Sequence, residues 1–440
     1  MGALRLARVT LGVLLMASAP AESATPPRGR LDPRGRIHIP IGIANTLDVL
    51  KTFVEAEGCF SPGVGSYGIY FWLYDSEADG LWAPTMDGVK VERGLGAGGH
   101  LIPWCSWGAG GVAVRTEVCE VRRASPAGDV LVVAARVRLV APPEGSNTFG
   151  RAKKVALYAA LRPLGPAGFP VHALSVSEAG DALLAEGHPA LVATERPSAA
   201  GVVATDTVGE LALAGKTPSE AAAASATGGC SGALRFDLTL SAGETKTLGF
   251  ICPVLPGRRA IRHQWDGRSG WAQLDLAKPN PPDGGLLQPD PGLGYYRGLK
   301  ADELFQEADA YWEGLAGRVK IAVPDPRWAE CFAAIVGHVA LCMNEGAPDV
   351  AVVNYNVFNR DGAYAANILQ KSGNLALSEQ AIDYFLAHYF GPCSFTYSAK
   401  GETGTLRLAG DAKPPGGVIL RAPRGDIVLP PGTLEARIRW

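Results

Sequence analysis

Between Arg36 and Val254, apolar and polar positions change places in short runs. In "ALRFDLTLSA" (233–242), Leu234, Phe236, Leu238 and Leu240 fall on one side, and Arg235, Asp237 and Thr239 on the other. That period of two predicts a half-buried strand. Runs at 66–75, 111–121, 129–140, 153–163 and 245–254 are rich in Val, Leu, Tyr and Phe and predict further strands, punctuated by Gly, Pro, Ser and Asp. In "SAGET" (241–245) Gly243 supplies the tight bend between the last two. So many short strands in one block predict a large antiparallel sandwich. "EAAAASATGG" (220–229) and "GLGAGG" (94–99) are expected to be loops.

The period then changes. Residues 277–294 are dense in Pro and Gly and predict an extended linker. Over 300–317, Leu304, Ala308, Tyr311 and Leu315 recur at helical spacing, with acidic residues near the start, where the helix dipole favours them. "VPDPRW" (323–328) launches a second helix, expected from Pro326 to Asn344. Its stripe is Trp328, Phe332, Ile335, Val339 and Cys342, and its other faces are mostly Ala, Val, Leu and Gly. A helix apolar nearly all round is expected to be packed on all sides. Asp361 reads as the N-cap of a third helix running through Lys371 and stopped by Gly373. Asn374 or Ser378 would cap a fourth, reaching Phe390, with Ile382, Phe385, Leu386 and Tyr389 as its buried stripe. After Cys393 the alternation returns in "GTLRLAG", "GVILRAP" and "TLEARIRW".

Bulk properties narrow the function classes. A net charge of -2 over 440 residues leaves no basic footprint for nucleic acid. Arg5 and Arg8, the apolar run from Val9 to Ala17 and Ala19-Pro20-Ala21 form an export-signal pattern, and the run is too short to span a bilayer. The protein is therefore expected to be exported, to the periplasm or beyond the cell, with no membrane span in the mature chain. Export permits disulfides among the eight cysteines. Cys331 and Cys342 are excluded as a pair, because eleven residues of helix separate them by ~16 Å. No paired Cys/His spacing suggests zinc, no cofactor motif stands out, and "GLGAGG" lacks the strand–helix frame of a phosphate loop. His338 reads as a satisfied core histidine, and no nucleophile-elbow pattern occurs.

One stretch carries candidate chemistry. "NYNVFNRDGAY" (354–364) sets Arg360 and Asp361 side by side behind Tyr355 and Phe358. A carboxylate accepts from sugar hydroxyls, a guanidinium donates in a fixed fork, and aromatic rings wall the C–H face of a sugar. The stretch, with "GAYAANILQKSGNLALSEQAIDYFL" after it, resembles the aromatic–x–x–aromatic–x–Arg–Asp signature of six-hairpin glycosidases of the glucoamylase and glucodextranase kind. The resemblance implies an N-terminal β super-sandwich, a helical linker and an (α/α)6 barrel. It also implies inverting hydrolysis of α-glucan-type oligosaccharides from the non-reducing end. In that family the Arg–Asp pair binds the terminal sugar and does not cleave. Arg360, Asp361, Tyr355 and Phe358 are thus expected to bind substrate. Trp104 and Trp107 in "PWCSW" are secondary candidates for sugar stacking, against a loop plug over the sandwich core.

The chain departs from that pattern in one respect. Twelve helices with short loops need roughly 190 residues, and Val323 to Cys393 supplies 71. The predicted organisation is therefore multidomain β plus α. It comprises an export signal (1–21), an antiparallel β super-sandwich (32–275), a linker with a bridging helix (276–322), an incomplete α/α hairpin domain (323–393) and a C-terminal β segment (394–440). No general acid or base is identified. Glu379 and Asp383 read as solvated helix residues, Glu435 as an exposed strand residue, and Glu345 and Asp349 as loop acids. The expectation is a glycoside-hydrolase-like protein that is catalytically incomplete and would self-associate through an exposed helical face. A non-catalytic carbohydrate-binding protein and a structural cell-envelope protein are the competing readings.

Overall fold

The computed structural model describes residues 31–33, 37–143, 152–164, 170–255, 288–352, 357–390, 393–400, 403–410, 418–422, 425–430, 433 and 435–439. The expected export signal, most of the expected linker and Tyr355 lie outside them.

Two large antiparallel sheets face each other. The eight-stranded sheet runs in the order His38–Ile41, Thr52–Glu55, Phe60–Ser61, Gly68–Asp75, Lys153–Arg162, Ser231–Leu240, Ala199–Val203, with Gly80–Trp82 paired to Gly68–Asp75. The nine-stranded sheet runs Ala222–Ala224, Ala173–Val176, Ala182–Ala185, His188–Ala193, Thr245–Pro253, Gly128–Val140, Val112–Ser125, Trp104–Ala109, Val91–Gly94. Side chains from the two inner faces meet in one core. Phe71 and Phe236 of the first sheet close on Phe250 of the second at ring-centroid distances of 5.1 and 5.7 Å. The alternation in 233–242 survives, since Leu234, Phe236 and Leu240 are buried while Asp237 and Thr239 are exposed. "SAGET" carries the chain from one sheet to the other. Gly243 takes φ 71° there and donates its N–H to the Pro142 carbonyl at 2.9 Å.

Gly68–Asp75 is buried along its whole length, because its outer face is covered too. Helix α1 (Val208–Leu213) and Met86 roof Tyr70, Trp72 and Tyr158. Arg162 lies 5.2 Å over the Tyr70 ring and is held by both oxygens of Asp206 at 2.8 Å. That second cover explains why this strand's sequence is apolar without alternating.

Helix α2 (Leu293–Arg297) leads into α3 (Ala301–Ala316), which lies on the outer face of the nine-stranded sheet. Leu304, Phe305, Ala308, Trp312 and Leu315 are buried. Arg136 stacks 4.1 Å over Phe305 and pairs with Asp302 at 3.1 Å. Gln288 anchors the approach to α2, accepting from the Leu131 amide at 2.6 Å and donating to the Leu131 and Val254 carbonyls at 3.1 and 2.7 Å.

Helix α4 (Pro326–Leu341) opens as the turn chemistry requires. Pro326 is at its first position, and the Asp325 side chain accepts from the Arg327 amide at 3.0 Å. Its seat differs from the expectation. Val336, Gly337, Ala340 and Leu341 face inward, whereas Trp328 and Ile335 are 69% and 50% exposed. Glycine decides the orientation. A Cβ on Gly337 would sit 3.1 Å from both Leu101 and Trp312, so the bare backbone lets these side chains close on the helix. The 94–99 stretch is likewise a fitted contact. Ala97–Gly99 forms a 3-10 turn, and the Glu330 carbonyl occupies the space a Cβ on Gly99 would need.

Helix α5 (Asn359–Lys371) begins two residues before the expected cap, so Asp361 lies inside its first turn and Phe358 takes the cap position. Gly373 ends it at φ 81°. Helix α6 (Leu375–Phe390) follows. Asn374 stands at its start, but its side chain donates to Leu315 and Ser372, and the Ser378 hydroxyl donates to the Ala366 carbonyl. Ser378 and Ala381 are buried and Ile382 is 49% exposed, so α6 is turned from the expected stripe. At the α5–α6 contact Gly362 meets the ring of Phe385, the member of the expected stripe that does face α5. Tyr389's side chain lies outside the described residues.

Ala222–Ala224, expected as loop, is an edge strand paired to Ala173–Val176. At the C-terminal end Cys393–Lys400, Thr403–Gly410 and Glu435–Arg439 form a three-stranded antiparallel sheet, and Val418–Ala422 pairs with Gly425–Leu429. Cys59, Cys105, Cys119, Cys230, Cys252, Cys331 and Cys342 are unpaired thiols. Among the described residues, no helix is long and apolar enough to cross a membrane.

Candidate functional site

The first turn of α5 projects Arg360 and Asp361 from a helix held tightly on its other side. A Cβ on Gly362 would lie 2.3 Å from the Phe385 ring and 3.0 Å from Pro348. Ala365, Ala366 and Leu369 continue that buried face. The opposite face is open. Arg360 is 78% exposed and its guanidinium lies 3.6 Å from the Asp361 carboxylate, itself 35% exposed. Phe358 is 52% exposed beside them.

Local stability does not account for this arrangement. Asp361 suits the positive end of the helix dipole, but Arg360 in the same turn opposes it. An exposed ion pair of this kind contributes about 0–1 kcal/mol. What the turn does offer is a carboxylate acceptor, a forked cation and an open aromatic ring within a few residues.

Tyr364 belongs with them and was not singled out from the sequence. It is 64% exposed and lies three and four residues after the charged pair, so it neighbours both on the helix surface. The i+3/i+4 spacing was the available signal. Trp328, on α4, is a second open ring of the helical segment.

The other candidates lie elsewhere. Trp107 is 4% exposed in the inter-sheet core. Trp104 is half-buried. Gly94 presses on its ring, its indole N–H donates to the Leu95 carbonyl at 2.9 Å, and the Arg115 guanidinium lies 4.1 Å over it. Glu379 and Asp383 are exposed on α6. Glu435 pairs with Arg407 at 3.1 Å. Glu345 is exposed in a turn at φ 49°, and Asp349 is buried. His338 faces the Pro40 carbonyl with one nitrogen, while its Nε2 has no hydrogen-bond partner. Burial lowers its pKa, so the core reading is met on one nitrogen only.

Two described carboxyls are pushed up by burial, and both belong to the sheets. Glu55 rises to about 7, through burial and then the nearby Glu57. Glu120 also rises, and its partner Lys51 falls, because both are buried. Glu57 lines a small cavity with Cys59, Tyr70, Trp72, Thr85 and Thr116, with room for about one water. Among the described residues, no cluster of His, Cys, Asp and Glu could hold a metal ion.

No protein-family model matches the sequence, and no curated protein matches it. Among solved structures, partial similarity is found to two proteins. A bacterial glucoamylase complexed with acarbose is 12% identical, with 84% of this chain and 52% of that chain covered and a TM-score of 0.48. A protein of the human microbiome assigned as a kojibiose phosphorylase is 9% identical, with 76% and 40% covered and a TM-score of 0.30. The chain spans about half the length of the first and less of the second.

Proposed function

We propose that this protein binds an α-glucan-type oligosaccharide, without cleaving it, on the exposed face of α5. Asp361 accepts from sugar hydroxyls, Arg360 donates to others, and Phe358 and Tyr364 supply apolar walls; Tyr355 completes the motif. The observation that carries this reading is the open Arg360–Asp361 pair beside an exposed ring, in a first turn where the arginine opposes the helix dipole. Catalytic incompleteness belongs to the same reading. Hydrolysis needs a proton donor with a raised pKa facing a second carboxylate. The described carboxyls that burial raises, Glu55 and Glu120, lie on the strands Thr52–Glu55 and Val112–Ser125. We further place the protein outside the cytosol on its N-terminal signal pattern, and assign self-association to the open stripe at Trp328 and Ile335.

Calorimetric titration with maltooligosaccharides tests the site. Binding by the wild type, weakened about 10- to 100-fold in Asp361→Ala, is expected, with no reducing sugar released. Full binding by the Asp361→Ala and Arg360→Ala variants would move the site away from α5. Sugar release by the pure protein would overturn the non-cleaving reading, and no binding at all would leave a structural role.

A further inference from the structure

Lys51 and Glu120 are 0% and 2% exposed, at the place where the two-sheet body receives the helices. The Lys51 ammonium donates to the Ile43 carbonyl and to the Thr46 hydroxyl, the latter at 2.6 Å. It thereby organises the stretch 43–46, and that stretch holds the helical segment. The Ala44 amide donates to the Tyr311 hydroxyl of α3 at 2.8 Å, and the Gly346 amide, just past α4, donates to Asn45 at 2.5 Å. The Asp48 amide donates to Asn344 at 3.1 Å. Glu120 is poorly served by comparison. The Thr52 hydroxyl and amide lie near it, yet neither carboxylate oxygen closes a hydrogen bond. Both side chains crowd Gly42, where a Cβ would sit 3.0 Å from the Lys51 chain and 3.2 Å from a Glu120 oxygen.

We propose that Lys51 and Glu120 form a pH-responsive latch between the sheets and α4, weakest at the pH values where water would keep both groups charged. Burying a cation and an anion costs more than their attraction returns unless further hydrogen bonds complete them, and Glu120 lacks those. Other titratable groups face the pair from each neighbouring element. These are Asp48 from the turn at 48–50, Arg122 from Val112–Ser125, the Cys342 thiol at the end of α4, and Tyr311 from α3.

The sign follows from the directions of the shifts. When the latch is open, both groups are hydrated and titrate near their ordinary values, 4.5 and 10.5. Closure raises Glu120 and lowers Lys51, in each case through loss of water. As pH climbs above 4.5, the open state releases the Glu120 proton that the closed state keeps, and closure weakens. As pH climbs further toward 10.5, the closed state releases the Lys51 proton before the open state does, and closure recovers.

Hydrogen exchange across 336–348, followed from pH 5 to 10 and corrected for intrinsic rates, reads the latch in the intact chain. In the wild type, protection should pass through a minimum at least about tenfold below its acid-side value, where one tenfold step equals roughly 1.4 kcal/mol. Lys51→Met/Glu120→Leu should flatten the profile. The same minimum in the double variant, or none in the wild type, overturns the latch. Should the double variant fail to fold, Glu120→Gln decides the matter. It should lose the acid-side fall and keep the alkaline recovery, and a retained acid-side fall refutes the proposal.

Discussion

Gly99→Ala should loosen α4 from the sheets, and the size of the effect can be worked from two glycines. Gly99 has φ 80°, and a Cβ there would lie 2.1 Å from the Glu330 carbonyl oxygen. Gly88 has a similar φ of 82° with nothing within 4 Å of its Cβ position. Alanine at either position carries the left-handed backbone cost of about 1–2 kcal/mol. At Gly99 alone it must also displace helix backbone, which cannot rotate away as a side chain would. Overpacking of that kind costs about 1–3 kcal/mol, so Gly99→Ala should cost about 2–5 kcal/mol in all. A chain of this size does not unfold in one step, so a global midpoint would blur the comparison. Exchange of the amides at 336–341 reads the local opening directly. In Gly99→Ala their protection should drop by roughly 5- to 150-fold relative to Gly88→Ala, the overpacking share alone. Equal protection in the two variants would show that the close approach of Gly99 to Glu330 does not hold α4.

Gln288→Ala removes the partner of one buried amide and two carbonyls. It should destabilise the surrounding strands by about 1–3 kcal/mol, read as a roughly 5- to 150-fold loss of exchange protection at the amides of 130–134, and unchanged protection there would mean water replaces the amide freely. Glu55 gives a pH signature with a definite sign. Its folded pKa of about 7 stands above the ordinary 4.5, so its contribution is complete below 4.5 and disappears as pH rises through about 7. The His38 ring is 2.8 Å away but off hydrogen-bond geometry and half exposed, so solvent screens it and burial governs. Glu55→Gln should level the exchange protection of the strand Thr52–Glu55 between pH 5 and 7, and an identical pH dependence in wild type and variant would assign it to other groups.

Strand positions were the most legible part of this chain. The expected run at 129–140 is observed as Gly128–Val140, and 153–163 as Lys153–Arg162. Both follow from local patterning, which any single strand carries in its own residues. Caps were less legible. Asp361 has the chemistry of an N-cap, yet the helix begins at Asn359. Packing of Gly362 on Phe385 and Pro348 sets where the turn starts, and no local propensity encodes it. The charged pair could be found from its residue types, and helical spacing from that pair would have added Tyr364.

What the residues decide alone is the period of each segment, the turn chemistry at Gly243, Pro326 and Gly373, and the presence of an Arg–Asp pair behind an aromatic ring. Which face each helix buries was left to tertiary structure. On α4 nearly every face is apolar, so hydrophobicity could not choose among them. The choice fell to Gly337 and Gly99, whose missing side chains allow the closest approach and leave Trp328 and Ile335 in the open.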